Sequence, residues 1–123
     1  MDWKIELIHV PVTDVERAKD FYVKIGFHPD HDHRVSDEVR FVQLTPPGSA
    51  CSIAIGEGLG LDLEPGRQNT IQVVVPDADE ALAHLRSLDV EADGVDEQAW
   101  GRFVTFADPD GNRWTLQELP RGS

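Results

Sequence analysis

Val12-Thr-Asp14-Val-Glu-Arg-Ala-Lys-Asp-Phe21-Tyr22 is the stretch that decides the fold, because its opening pattern returns later in the chain as Val75-Pro-Asp77. The two copies begin 63 positions apart (12 and 75), and Phe41-Val42 returns 62 positions later as Phe103-Val104. A repeat of about sixty residues that occurs twice indicates a duplicated supersecondary module, since a solenoid needs about three units or more. Two halves that close around one space commonly build a ligand cleft.

Each half of the chain predicts the same order of elements: a strand, a helix and three further strands. Thr13, in a capping box with Glu16, is expected to start the first helix, with Asp14 as the alternative cap, and Gly26 to end it. Alternating apolar residues predict the strands. The predicted elements are 5–12, 15–25, 28–34 (an edge strand or loop), 39–44 and 51–55, and then 70–75, 77–88, a weak strand near Val90, 102–107 and 112–118.

These elements predict a single domain over residues 1–119. It consists of module 1 (about 3–56), a glycine-rich linker (57–68) and module 2 (about 69–119). Residues 120–123 form a short tail that resembles the remnant of a protease site from an expression vector, and we leave it out of functional reasoning.

Composition excludes several classes of protein. The 123 residues carry a formal net charge of −12, which argues against binding nucleic acid or an anionic membrane surface. No apolar run approaches the ~20 residues needed to cross a bilayer, and we identify no signal peptide. Cys51 is the single cysteine, so an internal disulfide is excluded and a reducing compartment fits. We therefore expect a cytoplasmic protein without a nucleic-acid or membrane partner.

Strand alternation divides each predicted sheet into a helix face, which packs under the helix, and an open face on the other side. The helix faces are uniformly apolar, whereas the open faces mix small polar groups with aromatic rings. Such a mixture suits a concave ligand-binding surface, although a solvated face would have the same pattern. The predicted ligand-binding residues are Leu7, His9, Phe41, Gln43, Ser52, Ala54, Thr70, Gln72, Phe103, Thr105, Arg113, Thr115 and Gln117, with Trp100 in a neighbouring loop.

The chain resembles the glyoxalase/bleomycin-resistance/extradiol-dioxygenase superfamily, also called vicinal oxygen chelate (VOC) proteins. The resemblance rests on the segment from Val12 to Tyr22, on Gly26-Phe27, on Val75-Pro-Asp77 and on Phe106-Ala-Asp108-Pro-Asp-Gly111-Asn. It implies an α+β fold in which two tandem βαβββ modules have curled mixed sheets that form a cleft. It also implies a homodimer.

Metal-dependent members of that superfamily place four His or Glu ligands on the first and last strands of each module. The resemblance puts these positions at Leu7, Thr70, Thr115 and either Ala54 or Ser52. Leucine and alanine have no donor atom, and neutral hydroxyls are poor ligands without carboxylate or imidazole support. We therefore predict neither a metal nor a cofactor at these positions.

Histidines supply the remaining candidate chemistry. His9 on the open face is a candidate general base, or alternatively a hydrogen-bonded residue at the rim of the cleft. His28, His31 and His33 form the most metal-like local cluster, but a solvated edge segment would look the same. Trp100 would stack on a ligand or cover the end of the sheet. Arg40, Arg102 and Arg113 would meet an anionic group or lie in solvent.

Three functions fit these observations. The first is a metal-independent protein that binds a small organic molecule in its cleft, similar to the drug-sequestering branch of the superfamily. The second is a glyoxalase- or dioxygenase-like lyase, isomerase or oxidoreductase that is metal-free, with His9 as base, or uses an atypical metal site. The third is an interaction protein without a small ligand. The residues do not identify the ligand.

Overall fold

Two βαβββ modules make up the fold, as the repeat predicts. A computed structural model describes residues 1–120, so the last three residues of the predicted tail lie outside the described part. Module 1 contains β1 (Leu7–His9), α1 (Val15–Ile25), β2 (His28–Arg34), β3 (Arg40–Thr45) and β4 (Ser52–Glu57). Module 2 contains β5 (Ile71–Val74), α2 (Ala78–Ser87), β6 (Asp96–Gln98), β7 (Gly101–Ala107) and β8 (Arg113–Glu118).

Each module folds its strands into one four-stranded mixed sheet. The order is β1-β4-β3-β2 in sheet 1 and β5-β8-β7-β6 in sheet 2, and residues 1–120 form no closed barrel. The first strand of each module pairs in parallel with the last, because the helix carries the chain across the sheet between them. All other pairings are antiparallel. The predicted α+β class and mixed sheets are therefore confirmed.

Both helices begin at the aspartate of the repeated motif. Asp14 and Asp77 are the N-caps, and each side chain accepts a hydrogen bond from the backbone N–H three residues later, at Arg17 and Glu80. The prediction of Thr13 as the cap is wrong, and its alternative, Asp14, is confirmed: the Thr13 hydroxyl donates to Asp110 at 2.6 Å instead. Gly26 ends α1 with φ of 120°, a conformation that side-chain-bearing residues rarely adopt.

The weak strand predicted near Val90 is present only as an isolated antiparallel bridge between Ala92 and Phe106. Val90 is buried in the loop after α2, and the edge strand of sheet 2 is β6, six residues further along the chain. Its three residues are polar and exposed, so they carry no hydrophobic alternation that would reveal a strand.

The helix faces of the sheets form one core, as alternation predicts. Val42, Leu44 and Val104 are fully buried beneath the helices. Val73 and Leu116 also lie on the helix face but are only partly buried. Cys51 lies just before β4 and is partly exposed, so it is not part of this core.

Each module carries an arginine in the same setting on its helix face. Arg40 forms ion pairs with Glu16 of α1 at 2.5 Å and with Asp32 of β2 at 2.7 Å. Arg102 pairs with Asp79 of α2 at 2.9 Å and with Glu97 of β6 at 3.0 Å. Both arginines therefore tie the helix to the edge strand and are not available to an anionic ligand.

Within residues 1–120, neither helix is long and apolar enough to cross a membrane.

Candidate functional site

The two modules are joined on their helix sides by buried polar and aromatic contacts. The Tyr22 hydroxyl of α1 donates to Asp108 Oδ2 of module 2 at 2.7 Å and accepts from Trp114 Nε1 at 3.1 Å. Asn112 Nδ2 donates to the backbone oxygen of Pro11 at 2.7 Å and to Asp108 at 2.9 Å. Since these contacts fix one module against the other, the orientation of the open faces is fixed as well.

The open face of sheet 1 brings six of the predicted residues onto one surface. His9, Ala54 and Gln43 are register partners across three adjacent strands. Leu7 pairs with Ser52, and Phe41 pairs with Gly56. Ser52 and Ala54 are buried because they lie on a central strand, whereas His9 at the edge is exposed. The predicted mixture of apolar and neutral polar groups is therefore present on this face.

Two residues that the sequence did not identify also belong to this face. Thr45 lies one residue beyond the predicted end of β3, and its hydroxyl is 2.6 Å from Ser52 Oγ. Asp30 reaches the same hydroxyl from a β-bulge between Pro29 and His31. The hydrogen bonds from Thr45 and then from His28 hold the pKa of Asp30 below its usual range. This carboxylate therefore stays charged at the rim of the open face.

The open face of sheet 2 presents pairs of neutral polar side chains. The hydroxyls of Thr70 and Thr115 are 2.6 Å apart, and Gln72 Nε2 donates to Gln117 Oε1 at 2.7 Å. These pairs link the two parallel strands β5 and β8. The predicted residues on β7 are the next neighbours, since Thr105 pairs with Thr115 and Phe103 with Gln117.

The last two predicted residues lie at opposite ends of this face. Trp100 is 63% exposed, and its backbone oxygen accepts a hydrogen bond from Gln117 Nε2 at 3.0 Å. The backbone of Trp100 is therefore held beside the glutamine pair, and its side chain is exposed. Arg113 is exposed at the other end, where it and Thr105 line an open depression of about 720 Å³. No ion pair engages Arg113 among residues 1–120.

His9, the candidate general base, is exposed on the edge strand of sheet 1. Its imidazole makes no hydrogen bond to any other residue of the described chain. A catalytic imidazole is usually oriented by a partner on its second nitrogen, and that partner is not provided here. The geometry therefore gives the catalytic assignment no support beyond its place on the open face.

The positions carried over from metal-dependent VOC proteins do not fit a divalent metal. Leu7 and Ser52 are register partners in sheet 1, and the hydroxyls of Thr70 and Thr115 bond to each other in sheet 2. This donor set contains no imidazole, carboxylate or thiolate. In the described part of the chain, no three His, Cys, Asp or Glu side chains are grouped so as to hold a metal ion.

The histidine cluster adopts the extended geometry expected of a His-x-His segment. The rings of His31 and His33 stack with centroids 5.6 Å apart, on the open face opposite Gln43 and Phe41. His28 instead pairs with Asp30, with its Nδ1 3.0 Å from the carboxylate. All three imidazoles are exposed, so they add a polar aromatic rim to the open face of sheet 1.

The contacts that join the two modules lie on their helix sides. Across residues 1–120, the side-chain hydrogen bonds, ion pairs and ring contacts between the modules all lie away from the open faces. The predicted residues therefore form two separate surfaces, one on each sheet.

Known proteins share this architecture and much of this sequence. The profile of the Glyoxalase/Bleomycin resistance protein/Dioxygenase superfamily matches residues 4–116. The chain belongs to this superfamily. YetH of Bacillus subtilis (strain 168), an uncharacterized protein, is 28% identical over 117 residues, which cover 94% of this chain and 98% of YetH.

Two crystal structures from Streptomyces sp. CB03234 are similar over nearly the whole superfamily domain. TnmS3, an antibiotic binding protein, is 32% identical with a TM-score of 0.87, and the match covers 97% of this chain and 98% of TnmS3. A glyoxalase/bleomycin resistance protein is 34% identical with a TM-score of 0.82, covering 94% of this chain and all of the other (100%).

Proposed function

We propose that this superfamily member binds a small organic molecule against the open faces of its sheets, in a resistance- or sequestration-like role. One observation carries the proposal: the exposed neutral pairs Thr70–Thr115 and Gln72–Gln117 lie beside Phe103 on an uncovered sheet. Neutral donors and acceptors next to an aromatic ring are the groups that orient a largely apolar organic ligand. The similarity to an antibiotic binding protein supports a ligand of antibiotic type.

We further propose that the protein acts as a homodimer. Each open face is a one-sided surface within a chain, and a ligand pocket that buries most of its ligand needs a second wall. The exposed Val74 lies on the open face of sheet 2, where a second copy would cover it. Light scattering would test the homodimer, since a mass of 13.7 kDa at high concentration would contradict it.

The lone Cys51 supports a reducing compartment, and we propose the cytoplasm.

A thermal-shift screen tests the binding proposal. The purified protein is melted with a panel of aromatic and peptide-like antibiotics, bleomycin among them. A compound that binds only the folded state must raise the melting temperature. We expect at least one compound to raise it in proportion to the logarithm of its concentration. If no compound in the panel changes the melting temperature, the binding proposal is contradicted. The result would then favour the alternative of an interaction protein without a small ligand.

A further inference from the structure

A cavity of about 260 Å³, partly open to solvent, lies between the modules on the helix side of sheet 2. Aromatic rings, aliphatic side chains and proline rings form its walls. His84 is the only ionisable residue among the described residues that line it, and its Nε2 is 2.8 Å from the backbone oxygen of Ile25. The main walls are Phe27, Pro47, Val73, Phe106, Trp114 and Leu116.

The cavity exists because module 2 departs from the repeat at one helical position. Counted from the N-caps, Leu85 of α2 occupies the position that Tyr22 occupies in α1. Tyr22 reaches across to Asp108, in the turn that precedes β8. The corresponding turn of module 1 contains Pro46, and the shorter Leu85 lines the cavity together with it. A leucine therefore leaves open the space that a tyrosine fills in the other half.

Two matching positions are less buried in module 2 than in module 1, as the cavity beside them requires. Val10 is 1% exposed and Ala18 is fully buried under module 1, whereas their counterparts Val73 and Ala81 are only partly buried. Both of these module 2 residues line the cavity. The opening is thus a local feature of module 2 and not a general property of the fold.

We propose that this cavity is a second ligand site, which binds one uncharged apolar molecule about the size of a substituted benzene. Enclosed apolar cavities of roughly 150 Å³ bind benzene, so this partly open cavity of 260 Å³ has room for one ring with substituents. The walls provide no free charge for an ion, because the His84 ring is engaged by Ile25 and the Trp114 N–H by Tyr22. Val73 and Gln72 point to opposite faces of β5, and Gln72 does not line the cavity; Val74, at the end of the strand, is the open-face residue that reaches it.

Trp114 provides a direct readout of occupancy. Its ring is 1% exposed and lines the cavity, whereas the other two tryptophans, Trp3 and Trp100, are exposed. In a Trp3→Phe, Trp100→Phe background, Trp114 is the sole tryptophan. Bromobenzene, a heavy-atom quencher, should then reduce its emission along a saturable curve, while aqueous iodide should have little effect.

Filling the cavity should abolish this response. Ala81→Leu adds volume to the cavity, and Val73→Phe does the same from the sheet, as a second variant in case the first fails to fold. We expect at least a tenfold weaker bromobenzene midpoint in each variant, with a melting temperature unchanged or higher. Gln72→Leu, on the open face of the same strand, is the matched control and should keep the midpoint of the parent.

Two results would overturn the proposal. One is quenching that rises linearly without saturation and is equal in the parent and Ala81→Leu. The other is a midpoint that rises with protein concentration while light scattering reports a dimer that bromobenzene dissociates, because the cavity would then be occupied by a second copy. Binding of an antibiotic to the open faces would be unaffected by either result.

Discussion

The Tyr22 hydroxyl donates a 2.7 Å hydrogen bond to Asp108 Oδ2, and this contact joins a helix of one module to a turn of the other. The same hydroxyl accepts from Trp114 Nε1, so a single buried oxygen serves both modules. Tyr22→Phe should therefore cost about 1–3 kcal/mol of unfolding free energy, because it leaves buried polar partners unsatisfied. Urea unfolding measures this, and a stability within error of the parent would show that the contact does not hold the modules together.

Alkaline pH should weaken the same contact. Burial, followed by the neighbouring Asp108 carboxylate, raises the pKa of Tyr22 well above its usual range. A raised pKa contributes stability that is fully present below the unfolded value of about 10 and is lost as pH rises above it. The parent should lose stability between about pH 9.5 and 11 more steeply than Tyr22→Phe. Parallel slopes would contradict this, since Tyr22 is the only tyrosine of the chain.

Acid should weaken the ion pairs of module 1. The hydrogen bonds from Arg40 and then from Lys19 hold the pKa of Asp32 below its usual range. A depressed pKa contributes stability above the unfolded value of about 3.9 that is lost as pH falls below it. Asp32→Asn should flatten the fall in stability between neutral pH and about pH 3, whereas Asp20→Asn, at an exposed site without a side-chain partner in residues 1–120, should not. Equal slopes in both variants would exclude Asp32 as the source.

The two faces of β3 should differ in their contribution to stability. Leu44 is fully buried on the helix face, so Leu44→Ala should cost about 2–5 kcal/mol through lost burial and cavity formation. Gln43 is its neighbour on the open face, and Gln43→Ala should change stability by about 0.5 kcal/mol or less. Denaturant unfolding of both variants decides this, and the reverse order would invert the assignment of faces.

The carried-over metal positions predict a protein that purifies without stoichiometric metal. Leu7 has no donor, and the hydroxyls of Thr70 and Thr115 are bonded to each other. Added nickel or zinc should neither raise the melting temperature nor produce glyoxalase activity. Elemental analysis showing one tightly bound metal per chain, lost in His9→Ala or in a His31→Ala, His33→Ala double variant, would contradict this prediction.

The order of elements could be predicted because it follows from local patterns that occur twice. Asp14 and Asp77 each cap a helix with their own backbone neighbours, so sequence alone identifies both helix starts. Thr13 shows the limit of such rules. Its partner, Asp110, is 97 residues away in sequence, and this tertiary contact takes precedence over the local capping box.

Features created by strand pairing and by the meeting of modules could not be predicted. The polar strand β6 forms because residues 101–103 of β7 offer a free edge, not because its own sequence favours a strand. The β-bulge that turns Asp30 onto the open face depends in the same way on its partner strand. The cavity beside Leu85 needs the turn of the other module as a wall, which no local pattern places there.

The most direct test of the proposed function is the binding isotherm of the antibiotic that raises the melting temperature most. It is measured for the parent, for Gln72→Ala on the open face, and for Ala81→Leu at the helix-side cavity. Gln72→Ala should weaken binding by roughly 1–3 kcal/mol through a lost hydrogen bond, and Ala81→Leu should leave it unchanged. An isotherm that is identical in Gln72→Ala and the parent but lost in Ala81→Leu would contradict binding at the open face.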